Sequence, residues 1–175
     1  RPVSSMADHA WRNDQRIQSL TGQQYTERYH QNVLLALDGV FSSAPATLAL
    51  QALGELDAKL EPAFLHAVQI ARYIDGRDTA REEEVAKVAV AVANENGFAL
   101  TAKGFADRLR SDAELRQRTL ERIEASQGRM DELGIRGVPQ LVAMIDGKPT
   151  ALNGEILYHG PDRLIAAIED LTVTA

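Results

Sequence analysis

The sequence predicts a mostly helical α/β chain, in which a series of amphipathic helices precedes one short segment of αβ type. Three observations predict this class. Helix-start signals recur before residue 134, and each is followed by apolar residues at helical spacing. Two short apolar runs then flank Asp146-Gly147, which indicates a β-hairpin. A last helical pattern follows Gly160-Pro161.

The helices before residue 134 begin at capping-box patterns, at first-turn prolines or at the start of a regular apolar spacing. In chain order, these starts lie near Ser5, Tyr25, Pro45, Pro62, Thr79, Thr101 and Ser111. The second helix shows the periodicity most simply, because Tyr25, Tyr29, Val33 and Leu37 fall four residues apart and predict one buried face. Trp11 is expected to join these tyrosines in the core, with a peptide groove between helices as the alternative.

The later helices are predicted from their first turns. Thr79 and Glu82 have the spacing of a capping box, and the acidic run that begins at Glu82 lies where the helix dipole favours negative charge. A buried stripe is predicted on this helix at Val85, Val88, Ala89 and Val92. Ser111 and Glu114 are expected to open the next long helix, which Gly134 closes.

The predicted hairpin has a weak second strand. Residues 140–145 are too few for a helix between Pro139 and Asp146-Gly147, and Pro149 marks the second strand as an edge strand or a bulge. A hairpin alone is marginal in water, and its open edges invite pairing. We therefore expect it to pair with further strands, either from residues outside this sequence or from another chain.

Composition limits the possible functions. Hydrophobic residues make up 45% of the 175 residues, enough for a packed core, and the net charge is −6. An acidic chain without clustered Lys and Arg disfavours nucleic-acid or membrane partners. The four histidines lie too far apart to predict a metal site, and no cofactor motif is present. The chain has no cysteine, so it contains no disulfide and no cysteine nucleophile.

Four motifs, taken in order, carry a resemblance to a known family. They are residues 1–4 (RPVS), 71–78 (ARYIDGRD), 111–116 (SDAELR) and 133–139 (LGIRGVP). This ordered set resembles DsbA-like proteins of the thioredoxin fold, and within them the bacterial group described as predicted protein-disulfide isomerases. The resemblance implies a thioredoxin-like fold with an inserted helical domain at residues 1–133 and a C-terminal ββα part at residues 134–175. The N-terminal βαβ portion of that fold is absent from this sequence.

The resemblance also implies an activity, that of a cytoplasmic thiol–disulfide oxidoreductase or isomerase acting on protein or small thiol and disulfide substrates. In the family a Cys-x-x-Cys helix between two strands precedes the point where this chain begins. Roughly 35–45 further N-terminal residues are therefore expected, and the chain without them is expected to be inactive. The resemblance assigns substrate binding to Val138 and Pro139, with Pro139 cis and Val138 offering backbone groups. The alternative is that Pro139 only starts a strand.

Two other functions stay open. The first is a glutathione-dependent isomerase or transferase related to hydroxychromene-carboxylate isomerase and the kappa class, which shares the helical block and the Val-Pro loop. The second is a non-catalytic binding or dimerisation module, in which a partner completes the hairpin and a homodimer exchanges strands. A phosphate loop at Gly147-Lys148 is excluded, because Val142 stands where that motif needs glycine.

Overall fold

Helices dominate the computed structural model, which describes residues 6–173. Ser5, predicted to cap the first helix, and the motif at residues 1–4 lie outside the described residues. The chain divides into unit 1, Arg1–Leu120, and unit 2, Glu121–Ala175.

Unit 1 contains helices only among its described elements. These are α1 (Ala7–Thr21), α2 (Glu27–Tyr29) continuing as a π-helix (His30–Leu34), α3 (Ala44–Gly54), α4 (Leu60–Tyr73), α5 (Glu82–Glu95) and α6 (Ala102–Ser111). Helix α7 (Ala113–Glu132) begins in unit 1 and ends in unit 2. Unit 2 continues with β1 (Val142–Ile145), β2 (Lys148–Ala151), a 3-10 helix (Gly154–Tyr158) and α8 (Pro161–Val173).

The main core of unit 1 is built around α5. The predicted stripe at Val85, Val88, Ala89 and Val92 is confirmed, since all four residues are buried. Phe64 of α4 and Leu109 of α6 pack in the same cluster, each almost fully buried. Valine and alanine are small enough to let α3, α4 and α6 approach α5 closely, which places this helix at the centre of the core.

A second, aromatic cluster joins α1 to the segment that follows it. Tyr29 is 3% exposed and meets Tyr73 edge-on, with ring centroids 5.1 Å apart. Trp11 stacks on the His30 ring at 4.3 Å, and Tyr25 packs against the same group. The prediction that Trp11, Tyr25 and Tyr29 fill a core is therefore confirmed.

The predicted buried face from Tyr25 to Leu37 is wrong at its end. The backbone widens into a π-helix, in which the Leu35 N–H donates to the His30 carbonyl at 3.0 Å. A turn that is closed by a hydrogen bond between residues i and i+5 breaks the four-residue spacing of the apolar side chains. Leu37 consequently lies beyond the helix and is 95% exposed.

Two predicted helix caps are also wrong. Helix α5 begins at Glu82 without a side-chain cap, and Thr79 is buried, where its hydroxyl accepts a hydrogen bond from Arg72 at 3.2 Å. At the start of α7 the carboxylate of Asp112 accepts the Leu115 N–H at 2.8 Å. Ser111 instead belongs to α6. In both cases the side chain that the capping pattern indicated forms its hydrogen bond with a different partner.

The hairpin prediction is confirmed in unit 2. Strands β1 and β2 pair antiparallel, with Val142 opposite Ala151 and Ile145 opposite Lys148. Asp146 and Gly147 form the turn with φ of 49° and 77°, as a two-residue hairpin loop requires. Among the described residues the sheet consists of these two strands.

Candidate functional site

The loop between α7 and β1 carries the two residues that sequence analysis assigned to substrate binding. Helix α7 ends at Glu132, and Gly134, two residues later, has a left-handed φ of 65°. The N–H of Ile135 donates to the Met130 carbonyl at 2.8 Å, which closes the helix end. Residues 136–141 then form an irregular segment that leads directly into β1.

Val138 is the most exposed large hydrophobic residue of this loop, at 79%. The peptide bond between Val138 and Pro139 is cis. Among residues 6–173, neither the N–H nor the C=O of Val138 makes a hydrogen bond to the protein. Both groups are therefore free to pair with the backbone of an extended ligand, in the way that a strand adds to an open edge.

The chain leaving β2 holds the end of this loop in place. The side-chain amide of Gln140 donates to the Leu152 carbonyl, and the Leu152 N–H donates to the Leu141 carbonyl at 2.9 Å. A Cβ at Gly154 would lie 3.1 Å from the Pro139 carbonyl oxygen. The sequence gives no signal for this bracing, because its partners are about a dozen residues apart and form no periodic pattern.

Unit 2 buries little of its apolar surface. Among its described side chains, Leu152 is the one hydrophobic residue that is fully buried, at 6% exposed. Met144 of β1 is 67% exposed and Ile165 of α8 is 53% exposed. A hairpin and one helix with so small a core are marginal without further packing.

The sequence contains no thiol, and residues 6–173 contain no group of three or more potential metal ligands. Within the same range, no helix is both long and apolar enough for a membrane crossing.

Several residues of unit 1 have shifted pKa values. Burial raises the pKa of Tyr25 to about 12, and burial together with the nearby Asp14 carboxylate raises the pKa of Tyr29 further. A hydrogen bond from Arg118, joined by weaker ones from Gln51 and Arg108, lowers the pKa of Glu55. Such shifts belong to an aromatic cluster and to ion pairs between helices, which stabilise the fold.

Comparison with known proteins gives one informative match. No family model matches the chain, and no curated protein matches it. Among solved structures, the chain is similar to the cytosolic disulfide reductase DsbM from Pseudomonas aeruginosa, with 29% identity and a TM-score of 0.80. The match covers 100% of this chain and 80% of that protein.

This likeness supports the resemblance stated from the sequence in general terms. The helices of unit 1, the single hairpin and the terminal helix have the order that the resemblance implies. The chain accordingly has a DsbA-like thioredoxin fold of α/β class with a helical insertion.

Proposed function

We propose that this chain forms the larger part of a thiol–disulfide oxidoreductase of DsbA-like type, acting on protein or small disulfide substrates in the bacterial cytoplasm. The observation that carries the proposal is the likeness to a cytosolic disulfide reductase, which extends over the whole chain. In this proposal residues 1–133 are the inserted helical domain, and residues 134–175 are the C-terminal part of the thioredoxin-like domain.

The reaction needs thiol groups that these 175 residues lack. A thiolate attacks one sulfur of a substrate disulfide and forms a mixed disulfide, while the other substrate sulfur leaves as a thiolate. A second enzyme thiol then displaces the substrate, which is reduced as the enzyme pair becomes oxidised. We assign both thiols to a Cys-x-x-Cys segment preceding Arg1, and the chain alone is expected to be inactive.

The open surface of unit 2 supports this assignment. The described sheet has two strands, and the apolar side chains of Met144 and Ile165 are largely exposed. A segment that adds strands beside the hairpin would satisfy the backbone groups along the free edge and cover these side chains. One missing segment would therefore supply both the redox pair and the packing that unit 2 needs.

The exposure of the Val138–Pro139 loop supports its role in binding the substrate. The free N–H and C=O of Val138 suit the backbone of an extended peptide that carries the disulfide. A charged side chain at this position should obstruct such a peptide without disturbing the fold, since Val138 is 79% exposed. Leu37 offers a matched control, because it is 95% exposed and lies in unit 1.

The first experiment is to read the gene upstream of the Arg1 codon and to express the longer protein. Reduction of insulin disulfides with dithiothreitol as reductant is expected, and a variant with both cysteines changed to serine should be inactive. In the active protein, Val138→Glu should lower kcat/KM for a peptide disulfide about tenfold, whereas Leu37→Glu should leave it unchanged. Upstream sequence without cysteines, or a longer protein without reductase activity, would contradict the proposal.

Two alternatives are supported by particular observations. The absence of cysteine suits an enzyme that uses the thiol of glutathione, and glutathione binding without disulfide reduction would favour that reading. The open hairpin suits a dimer in which strands are exchanged, and sedimentation showing a dimer of the 175-residue chain would favour it. A monomer mass at all concentrations would count against the dimer.

A further inference from the structure

A pocket of about 210 Å³ lies within unit 1. Its lining combines apolar side chains, among them Phe41, Ala46 and Val68, with polar ones, among them Ser42, Arg72 and Thr79. An apolar cavity of about 150 Å³ is known to hold benzene, so this pocket has room for one aromatic ring and a small polar group.

Arg72 gives the pocket its charge. Among the described lining residues it is the one charged side chain. Its guanidinium carbon lies 5.7 Å from the centre of the Tyr29 ring and 5.9 Å from that of Phe41, which positions the planar group. One of its nitrogens donates to the buried Thr79 hydroxyl at 3.2 Å. A guanidinium carries five N–H donors, so most of them remain for a ligand.

In the described part of the chain, Arg72 is not among the arginines of unit 1 that form ion pairs. Ion pairs with carboxylates are formed by Arg77, Arg81, Arg108, Arg110 and Arg118. Within residues 6–173, no carboxylate oxygen lies within 4.0 Å of an Arg72 nitrogen. Arg72 interacts electrostatically with Asp14. The Asp14 carboxylate, however, accepts a hydrogen bond from the Tyr29 hydroxyl at 3.0 Å and does not line the pocket.

The remaining polar groups add donors beside the guanidinium. The Ser42 hydroxyl oxygen accepts the Ala44 N–H at 3.2 Å, which leaves its own hydrogen available. Ser43 makes no side-chain capping bond at the start of α3. Phe41 and Val68 supply an apolar wall, and Phe41 is 53% exposed, so a ligand can reach the pocket from solvent. A cation, hydroxyl donors and an apolar wall together match a carboxylate that is attached to an apolar group.

We propose that this pocket binds an organic carboxylate whose apolar body packs on Phe41 and Val68 while its carboxylate pairs with Arg72. A free aromatic acid and the C-terminal carboxylate of a peptide both have this chemistry. The two sources differ in size and in the group attached to the acid, so suitable probes distinguish them.

The test is a titration of the 175-residue chain with four probes at low ionic strength. Binding is monitored by NMR. Benzoate represents the free acid and N-acetylphenylalanine the chain terminus, and the neutral amide of each is its control. We expect the acids to shift the signals of Ala46 and Thr79 with a Kd on the order of 1 mM, and the amides to bind at least tenfold more weakly. The acid that binds more tightly shows whether the pocket prefers a free aromatic acid or the C-terminal carboxylate of a peptide.

Three variants test the assignment of the contacts. Arg72→Gln should weaken binding of the acid at least tenfold, and Phe41→Ala, at a half-exposed position, should weaken it without affecting the fold. Arg81→Gln, which changes an exposed arginine outside the lining, should leave the Kd unchanged. Equal binding of acids and amides, or full binding by a folded Phe41→Ala variant, would overturn the proposal.

Discussion

Replacing Gly76 with alanine should destabilise unit 1 by about 2–5 kcal/mol. Gly76 is buried with a φ of 68°, a left-handed conformation that costs other residues about 1–2 kcal/mol. A Cβ there would also lie 2.6 Å from the carbonyl carbon and oxygen of Arg28, and relieving that overlap should cost about 1–3 kcal/mol more. The Arg28 backbone has little freedom to retreat, because the Thr26 hydroxyl donates to the Ile74 carbonyl at 2.7 Å.

Gly22→Ala is the matched control. Gly22 has a φ of 77°, but nothing lies within 4 Å of where its Cβ would be, so only the conformational cost applies. Urea unfolding followed by helical circular dichroism and by the fluorescence of Trp11, the single tryptophan, gives both free energies. The Gly76 variant should lose about 1–3 kcal/mol more than the control. Equal losses would refute the close approach between Gly76 and Arg28.

Two further predictions concern the helical unit. Phe64→Ala should lower the unfolding free energy by about 3–5 kcal/mol, because the ring is fully buried. Leu65→Ala should lower it far less, because Leu65 is 45% exposed. Similar losses for the two variants in urea unfolding would contradict the packing of α4. Glu55→Gln should lower stability by about 1 kcal/mol at pH 7, because hydrogen bonds from Arg118 and Arg108 lower the pKa of Glu55 and so stabilise its ionised form. That contribution is present above the unfolded pKa near 4.5 and is lost as pH falls, so a gap to wild type that is constant with pH would refute it.

Much of the fold could be predicted because its determinants are local. The hydrophobic spacing of α5 and the Asp146-Gly147 turn are set by neighbouring residues, and both were predicted correctly. Helix ends were harder, as Thr79 shows. Its capping pattern is present in the sequence, but the side chain is instead buried against Arg72. The local sequence makes a capping hydrogen bond possible, whereas tertiary packing determines which partner the side chain bonds to.

The same distinction between local sequence and tertiary packing applies to the candidate sites. Val138 and Pro139 were singled out from a seven-residue motif, but the exposure of Val138 and its free backbone groups are properties of the folded loop. The pocket around Arg72 has no sequence signature, since residues 41–46 and 68–79 meet only when α3 and α4 pack. The absence of thiols, in contrast, is decided by the residues alone. Composition and local spacing determine which elements and which chemistry are available, whereas long-range packing determines which groups are buried, paired or left open to a ligand.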